Sequence, residues 1–333
     1  MSKLVRYLTD KDKSYIPVWF MRQAGRYLPE FREIRSNNPD FIKLCFNSDL
    51  ASKITLQPID RYNLDAAIIF SDILLVPYAL KQKVNFGKID GPIISDFQFN
   101  NFINTTKKEF INTLEPVYEA IKNAKNFLKK NESLIGFIGA PWTLMIYMFN
   151  LKKGTELDKN KVNLYNSNFE HVKNKLIEFL KYHIEYQKKA GADVIQIFDS
   201  WAGLIDKNKL KDYCYEPNKI LVEFCRSQKI PVICFPKGIK ENYKTFVDFV
   251  KPDCINIDYE IDPLWARNNL KNVCIQGGMN PNILLKDEKI ALEEVNKYLS
   301  IFKNYSYIFN LGHGILPQTD PEIIRKIVDK IKK

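Results

Sequence analysis

The stretch Asp193-Val-Ile-Gln-Ile-Phe198 decides the fold. Valine, two isoleucines and a phenylalanine dominate its six residues, and polar Asp199-Ser200-Trp201 ends it. A run that short and that apolar suits a strand buried on both faces. Phe169–Lys189 before it and Lys209–Arg226 after it are long enough to be crossover helices. Seven similar runs lie outward from this one: Val18–Met21, Ala66–Phe70, Leu134–Ile138, Val232–Phe235, Cys254–Ile257, Val273–Gln276 and Tyr307–Leu311. Helical spacing recurs between them at Asp49–Tyr62, Lys107–Lys130 and Lys286–Phe302. A final helix opens with Thr319, Asp320 and Pro321, a cap and first-turn proline, and carries Ile323, Ile327 and Ile331 as one stripe. Strand and helix alternating eight times predict a parallel sheet with right-handed crossovers. Eight units close a barrel, so the expected fold is α/β, a single (β/α)8 TIM barrel in one domain over residues 1–333. An open doubly wound sheet is the other arrangement this pattern allows. Asn150–Asn168 is polar and lysine-rich and reads as a long loop.

The 333 residues are 45% hydrophobic and 27% charged, in keeping with a soluble protein of sizeable core. No apolar run approaches the roughly 20 residues a membrane helix needs, and no secretory signal opens the chain, so a cytoplasmic protein is expected. Six scattered cysteines form no C-x-x-C pair and read as free thiols of a reducing compartment. His171, His183 and His313 show no ligand spacing, so no metal is expected. Glycine-rich nucleotide-binding patterns are absent. The net charge of +11 invites a nucleic-acid reading that no motif supports. Most of the 41 lysines sit in polar stretches such as Lys152–Lys161 and Lys207–Lys211 and read as solvated surface. Four of the nine arginines, Arg22, Arg26, Arg32 and Arg35, cluster instead.

In such a barrel the residues just after each strand form the active-site rim. Arg22 and Arg26 are spaced i,i+4, so a helical turn would put both on one face, which Arg32 and Arg35 could extend. Clustered guanidinium groups imply a ligand with several anionic groups; ion pairs with Glu30 and Glu33 are the plainer alternative. Arg32 is the one expected to be structural. Asp72 ends an apolar strand and should face the mouth, either as a functional carboxylate or as a helix cap. His313, between two glycines, is the one histidine outside a predicted helix. Tyr147 stands in an apolar stretch that also suits plain core.

Five stretches in order resemble the uroporphyrinogen decarboxylase family. They are Pro17–Arg35, Ala66–Leu74, Gly136–Tyr147, Gln196–Gly203 and Asn310–Leu316. The resemblance implies a cofactor-free and metal-free barrel, usually a homodimer, acting on a small molecule and on neither nucleic acid nor membrane. It implies stepwise decarboxylation of the four acetate side chains of uroporphyrinogen III to methyls, giving coproporphyrinogen III. By the family pattern Arg22, Arg26 and Arg35 bind substrate carboxylates and Ala24 offers a backbone contact. Asp72 faces the pyrrole N–H groups, Tyr147, Ser200 and His313 complete the polar lining, and Phe31 and Phe198 form apolar walls. Asp72 is then the catalytic carboxylate, and His313, Tyr147 and Arg22 acting through a water are three candidate proton donors. Asp199 stands where some members carry Glu. Corrinoid-linked methyltransferases share the fold and use a zinc site of His and Cys; here no histidine accompanies Cys234, which counts against that alternative.

Overall fold

The computed structural model describes residues 1–10, 14–87 and 91–333. Seven parallel strands lie side by side in chain order: β1 (Ala66–Ile68), β2 (Ser133–Gly139), β3 (Val194–Asp199), β4 (Val232–Pro236), β5 (Cys254–Ile257), β6 (Cys274–Gly277) and β7 (Tyr307–Ile308). Neighbours that follow one another in sequence and run the same way need a crossover at every step. Those crossovers include the helices Lys107–Phe127, Phe169–Ala190, Glu216–Ser227, Tyr243–Val250, Pro263–Asn269 and Glu288–Ile301.

Alternate side chains of each strand fall into two different apolar clusters. On β3, Val194 belongs to one, and Ile195 and Ile197 to the other. The smaller cluster gathers Ala66 and Ile68 of β1, Ile135, Ile233, Cys254 and Ile308 of β7, so the two edge strands share one inner core and the sheet is curled. The larger cluster packs the outer face against the helices. Continuous apolar strands are required because both faces are dry. A polar layer crosses the interior: the Trp19 indole donates to Gln276 at 2.9 Å, and the Gln276 amide donates to Asn256 at 2.8 Å and Gln196 at 3.3 Å. The helix Lys3–Asp10 covers the N-terminal strand ends, with the Tyr7 hydroxyl donating to Tyr307 O and accepting from Tyr307 N–H.

Three sequence expectations change. Val18–Met21 is no full strand. Val18 makes a single parallel bridge to Phe309, and Asp65 N–H donates to its carbonyl at 3.0 Å, so the segment touches both sheet edges for one residue only. Beyond it the chain turns to serve the rim. Asn150–Asn168 is not a bare loop, because it holds a hairpin (Lys152–Lys153 with Glu156–Leu157) and the helix Lys159–Tyr165, whose N-terminus Asp158 caps. The expected helix Lys209–Arg226 begins as a 3-10 turn and a wide π-turn, Lys211–Tyr215, and becomes α-helical at Glu216. The final helix starts as read: Asp320 accepts from Glu322 N–H and Pro321 sits in the first turn.

Candidate active site

Just past the Val18 bridge the chain makes a tight turn. Gln23 N–H donates to Phe20 O at 3.1 Å. Arg22 sits third in that turn with φ 60, a left-handed conformation that costs a residue other than glycine about 1–2 kcal/mol. Surrounding bonds hold it there. The Gln23 side chain accepts from Phe20 N–H and donates to Ala66 O, both at 3.0 Å. Asn310 accepts from Met21 N–H at 3.0 Å, and Ile315 N–H donates to Met21 O at 2.9 Å. These bonds lace the turn to the loop after β7. As a result the Arg22 side chain lies on Gly314, where a Cβ would stand 2.6 Å from Arg22 Cγ. At Gly312 a Cβ would meet the Asp258 backbone at 2.8 Å. His313 is therefore presented between two positions that only glycine fits.

This geometry overturns the helical reading of the arginines. Helix begins only at Pro29, so Arg22 and Arg26 share no helical face. Met21 and Gln23 spend their bonding groups on distant partners instead of on a helical turn. Arg32, on the helix Pro29–Asn37, donates to the carbonyls of Arg26 and Tyr27, a structural role. Glu30 pairs in a two-pronged fork with Arg61 at 2.9 and 3.0 Å, not with the cluster. Among the described residues Arg22 and Arg26 have no ion-pair partner, and both are exposed. Arg35 donates to Asn38 O and lies over the Phe41 ring at 5.7 Å.

Asp72 follows β1 at its C-terminal end. Its Oδ1 accepts from Leu74 N–H at 2.8 Å, so it does turn the chain as a cap would. The residue keeps part of its surface open. Its carboxyl is nonetheless dry enough that burial pushes the pKa up to about 6, against the pull of the Leu74 N–H and the Arg22 charge. Tyr147, on the helix Pro141–Met148 after β2, is half-buried. Burial and the nearby Asp72 raise its pKa, while the Trp201 indole and Arg22 pull it down. For His313, burial first and then the Lys237 and Arg22 charges push the pKa down to about 4. It is a neutral imidazole at pH 7. Arg22 thus lies within electrostatic reach of Asp72, Tyr147 and His313, and Asp72 within reach of Tyr147, four residues from separate stretches.

The remaining expected residues sit around this group. Ser200 follows the end of β3 and is half-buried, as are Ala24 and Phe198, whose ring meets Phe137 edge-on at 5.6 Å. Phe31 is only 4% exposed and packs on Phe70 at 5.7 Å, so it backs the wall through Phe70 and offers little face of its own. Cys234 is fully buried in β4, its thiol pKa raised by that burial. Among the described residues no three His, Cys, Asp or Glu side chains gather as a metal site would need.

Sequence reading missed the positioning residues Gln23 and Asn310, whose amides look like any others in the chain. It also missed Lys152, and it placed Trp201 and Lys237 after strand ends without giving either a role. Trp201 is fixed by Thr143, whose hydroxyl accepts its N–H at 3.1 Å and donates to buried Asp199 at 2.7 Å. Lys152, read as solvated, lies 3.6 Å over the Trp201 ring.

The family model for uroporphyrinogen decarboxylase matches residues 1–333. A relative named uroporphyrinogen decarboxylase from Rickettsia felis is 38% identical over 326 residues, covering 97% of this chain and 94% of that protein. Another of that name from Rickettsia bellii is 40% identical over 327 residues, covering 95% and 94%. A solved methyltransferase from Methanosarcina mazei matches with a TM-score of 0.79 at 14% identity, over 99% of this chain and 97% of that one, a likeness of fold alone. By its full-length match to the family model and to these relatives, the chain belongs to the uroporphyrinogen decarboxylase family.

Proposed function

We propose that the rim built by Arg22, Asp72, Tyr147 and His313 removes CO₂ stepwise from the four acetate side chains of uroporphyrinogen III, giving coproporphyrinogen III. The observation that carries this reading is the pairing of a dry, half-sheltered carboxylate with an unpaired guanidinium on a rim full of polar groups. Direct loss of CO₂ would leave an unstabilised carbanion. A proton added to the adjacent pyrrole α-carbon makes the ring a cationic electron sink. The bond to CO₂ then breaks, its electron pair forms an exocyclic methylene, and the ring cation is neutralised. The methylene gains a proton to become methyl while the α-carbon loses its own. The net change per step is one proton taken up and one CO₂ released.

Asp72 faces the pyrrole N–H groups, where the passing ring cation favours its charged form and is stabilised by it. Its Leu74 bond fixes one oxygen in place and leaves the other for substrate. Arg22, Arg26 and Arg35 take substrate carboxylates, and Ala24 adds a backbone contact. Ser200 and His313 offer hydrogen bonds, and Phe31, through Phe70, and Phe198 flank the macrocycle. His313, neutral at pH 7, acts as an N–H donor or a lone-pair acceptor and not as an imidazolium acid. The proton then travels by Tyr147, which burial keeps protonated, or by a water on Arg22.

Around this site the chain is one domain, a (β/α)8 barrel whose eighth staves are the short contacts of Val18 with Phe309 and of Asp65 with Val18. The family resemblance supports a homodimer, testable by sedimentation equilibrium. Six buried free cysteines suit the reducing cytoplasm. Purified protein incubated with uroporphyrinogen III, without added metal or cofactor, yields products with seven, six, five and four carboxyls in turn. Absence of CO₂ release from folded protein rejects the assignment.

A further inference from the structure

Two lysines lie on the Trp201 side of the mouth. Lys152 comes from the hairpin Lys152–Lys153 with Glu156–Leu157, where it pairs with Leu157. Its Nζ stands 3.6 Å from the centre of the Trp201 ring. The Trp201 backbone is pinned at both its N–H and its carbonyl. Thr143 accepts from its backbone N–H, and its carbonyl accepts from the Trp142 indole at 3.0 Å. Tyr147 meets the Trp201 ring edge-on at 6.2 Å. Lys237 follows β4, its N–H donating to Asp199 O at 3.1 Å. Its carbonyl accepts from Gly203 N–H at 2.9 Å, which sets it beside the loop that carries Trp201, and its charge bears on both Lys152 and His313. Among the described residues neither Nζ has an ion-pair or hydrogen-bond partner. Partial burial and the charge of Lys237 lower the Lys152 pKa.

Like charges near one another, neither with an ion-pair partner among the described residues, are complementary to an anion. We propose that Lys152 and Lys237 form a second anion-binding pair that grips a carboxylate of the tetrapyrrole on the Trp201 side, away from the Arg35 and Phe41 side. The inference rests on the rim being the tetrapyrrole site. It assigns the hairpin a purpose: to bring a cation over the mouth from outside the sheet. Trp201 serves as its platform, since an aromatic face attracts an ammonium and keeps its long stem from wandering.

The test removes charge while keeping the stem. Lys152→Met raises KM for uroporphyrinogen III about 10-fold, with kcat within about 2-fold and thermal stability unchanged. Lys152→Arg restores KM to within about 3-fold, and the variant without the charge responds less to added salt than wild type. Lys237→Gln raises KM in the same direction, and the double variant adds less than the sum of the two. Titration with coproporphyrin III, followed by tryptophan quenching, reads the pair without turnover. A wild-type KM and salt dependence in Lys152→Met overturn the inference. So does a variant that melts earlier and loses kcat at constant KM, which would make Lys152 a pin for the hairpin. If folded wild type releases no CO₂ while coproporphyrin III affinity still falls with Lys152→Met, the decarboxylase reading fails and the anion pair stands.

Discussion

Asp72 carries its carboxyl at a point where water is scarce but an arginine is near, and the balance leaves its pKa at about 6 instead of the ordinary 3.8. Asp72→Asn keeps an oxygen for the Leu74 N–H, so the turn survives, but it removes the charge that meets the ring cation. The variant should lose about 100-fold or more in kcat, with a melting temperature within about 3 °C of wild type. Assays beside thermal melts decide this; normal turnover removes Asp72 from the mechanism. The pH dependence runs in two directions. A carboxyl raised in the folded chain holds its proton more tightly there, so its stability contribution is present below pH 3.8 and lost as pH rises through about 6. Activity needs the ionised form, so kcat/KM falls on an acid limb as pH drops below about 6. Buried Asp199 also rises to about 6, by burial, but it faces Thr143 and Asn218 and not the mouth. Asp199→Asn should therefore keep the limb where it is. Asp72 and His313 stood out in sequence because each follows a strand end. Lys152 and Gln23 did not, because their significance lies wholly in what they touch.

The turn Phe20–Gln23 departs from local preference. It places an arginine where glycine is favoured, and bonds from Gln23, Asn310 and Ile315 hold it. Strain of this kind persists where surrounding structure overrules it, commonly at functional sites. Arg22→Gly should match or exceed wild-type stability by up to about 1 kcal/mol in denaturant titrations, while activity collapses. A large loss of stability would show that the side chain, not the strain, dominates. Gly314→Ala tests the same contact from the other side. Its methyl would drive into the Arg22 stem, so KM or kcat should worsen by about 10-fold or more. The strands were legible because apolar runs of five or so residues fit a sheet with two dry faces. The hairpin in Asn150–Asn168 was not, since nothing in its polar composition separates a folded flap from a loop.

At the scale of the molecule, a few groups tie the first segment and the last helix to the sheet edge. Asp65 is 4% exposed, accepts from Val18 N–H at 2.8 Å and pairs with Lys332 at 2.5 Å on the last helix. Its own N–H reaches Val18 O. One side chain thus joins the first segment, β1 and the C-terminal helix. Asp65→Ala should cost about 2–4 kcal/mol, read as a lower denaturant midpoint, because it leaves a buried N–H unpaired and a lysine without its partner. An unchanged midpoint would show that the edges are held by packing alone.

The sequence by itself determined the order of strands and helices, the parallel sheet and the family, because periodicity and motif spacing are properties of neighbours along the chain. It also marked Arg22, Asp72, Tyr147 and His313 by the motifs that carry them, with Asp72 and His313 placed just after strands. Only the tertiary structure decided that Arg22 sits in a strained turn and not on a helix, that Glu30 belongs to Arg61, and that Lys152 lies over Trp201. Each of these depends on which distant groups arrive to satisfy a buried N–H, a carboxylate or an ammonium, and burial is set by the whole packed molecule.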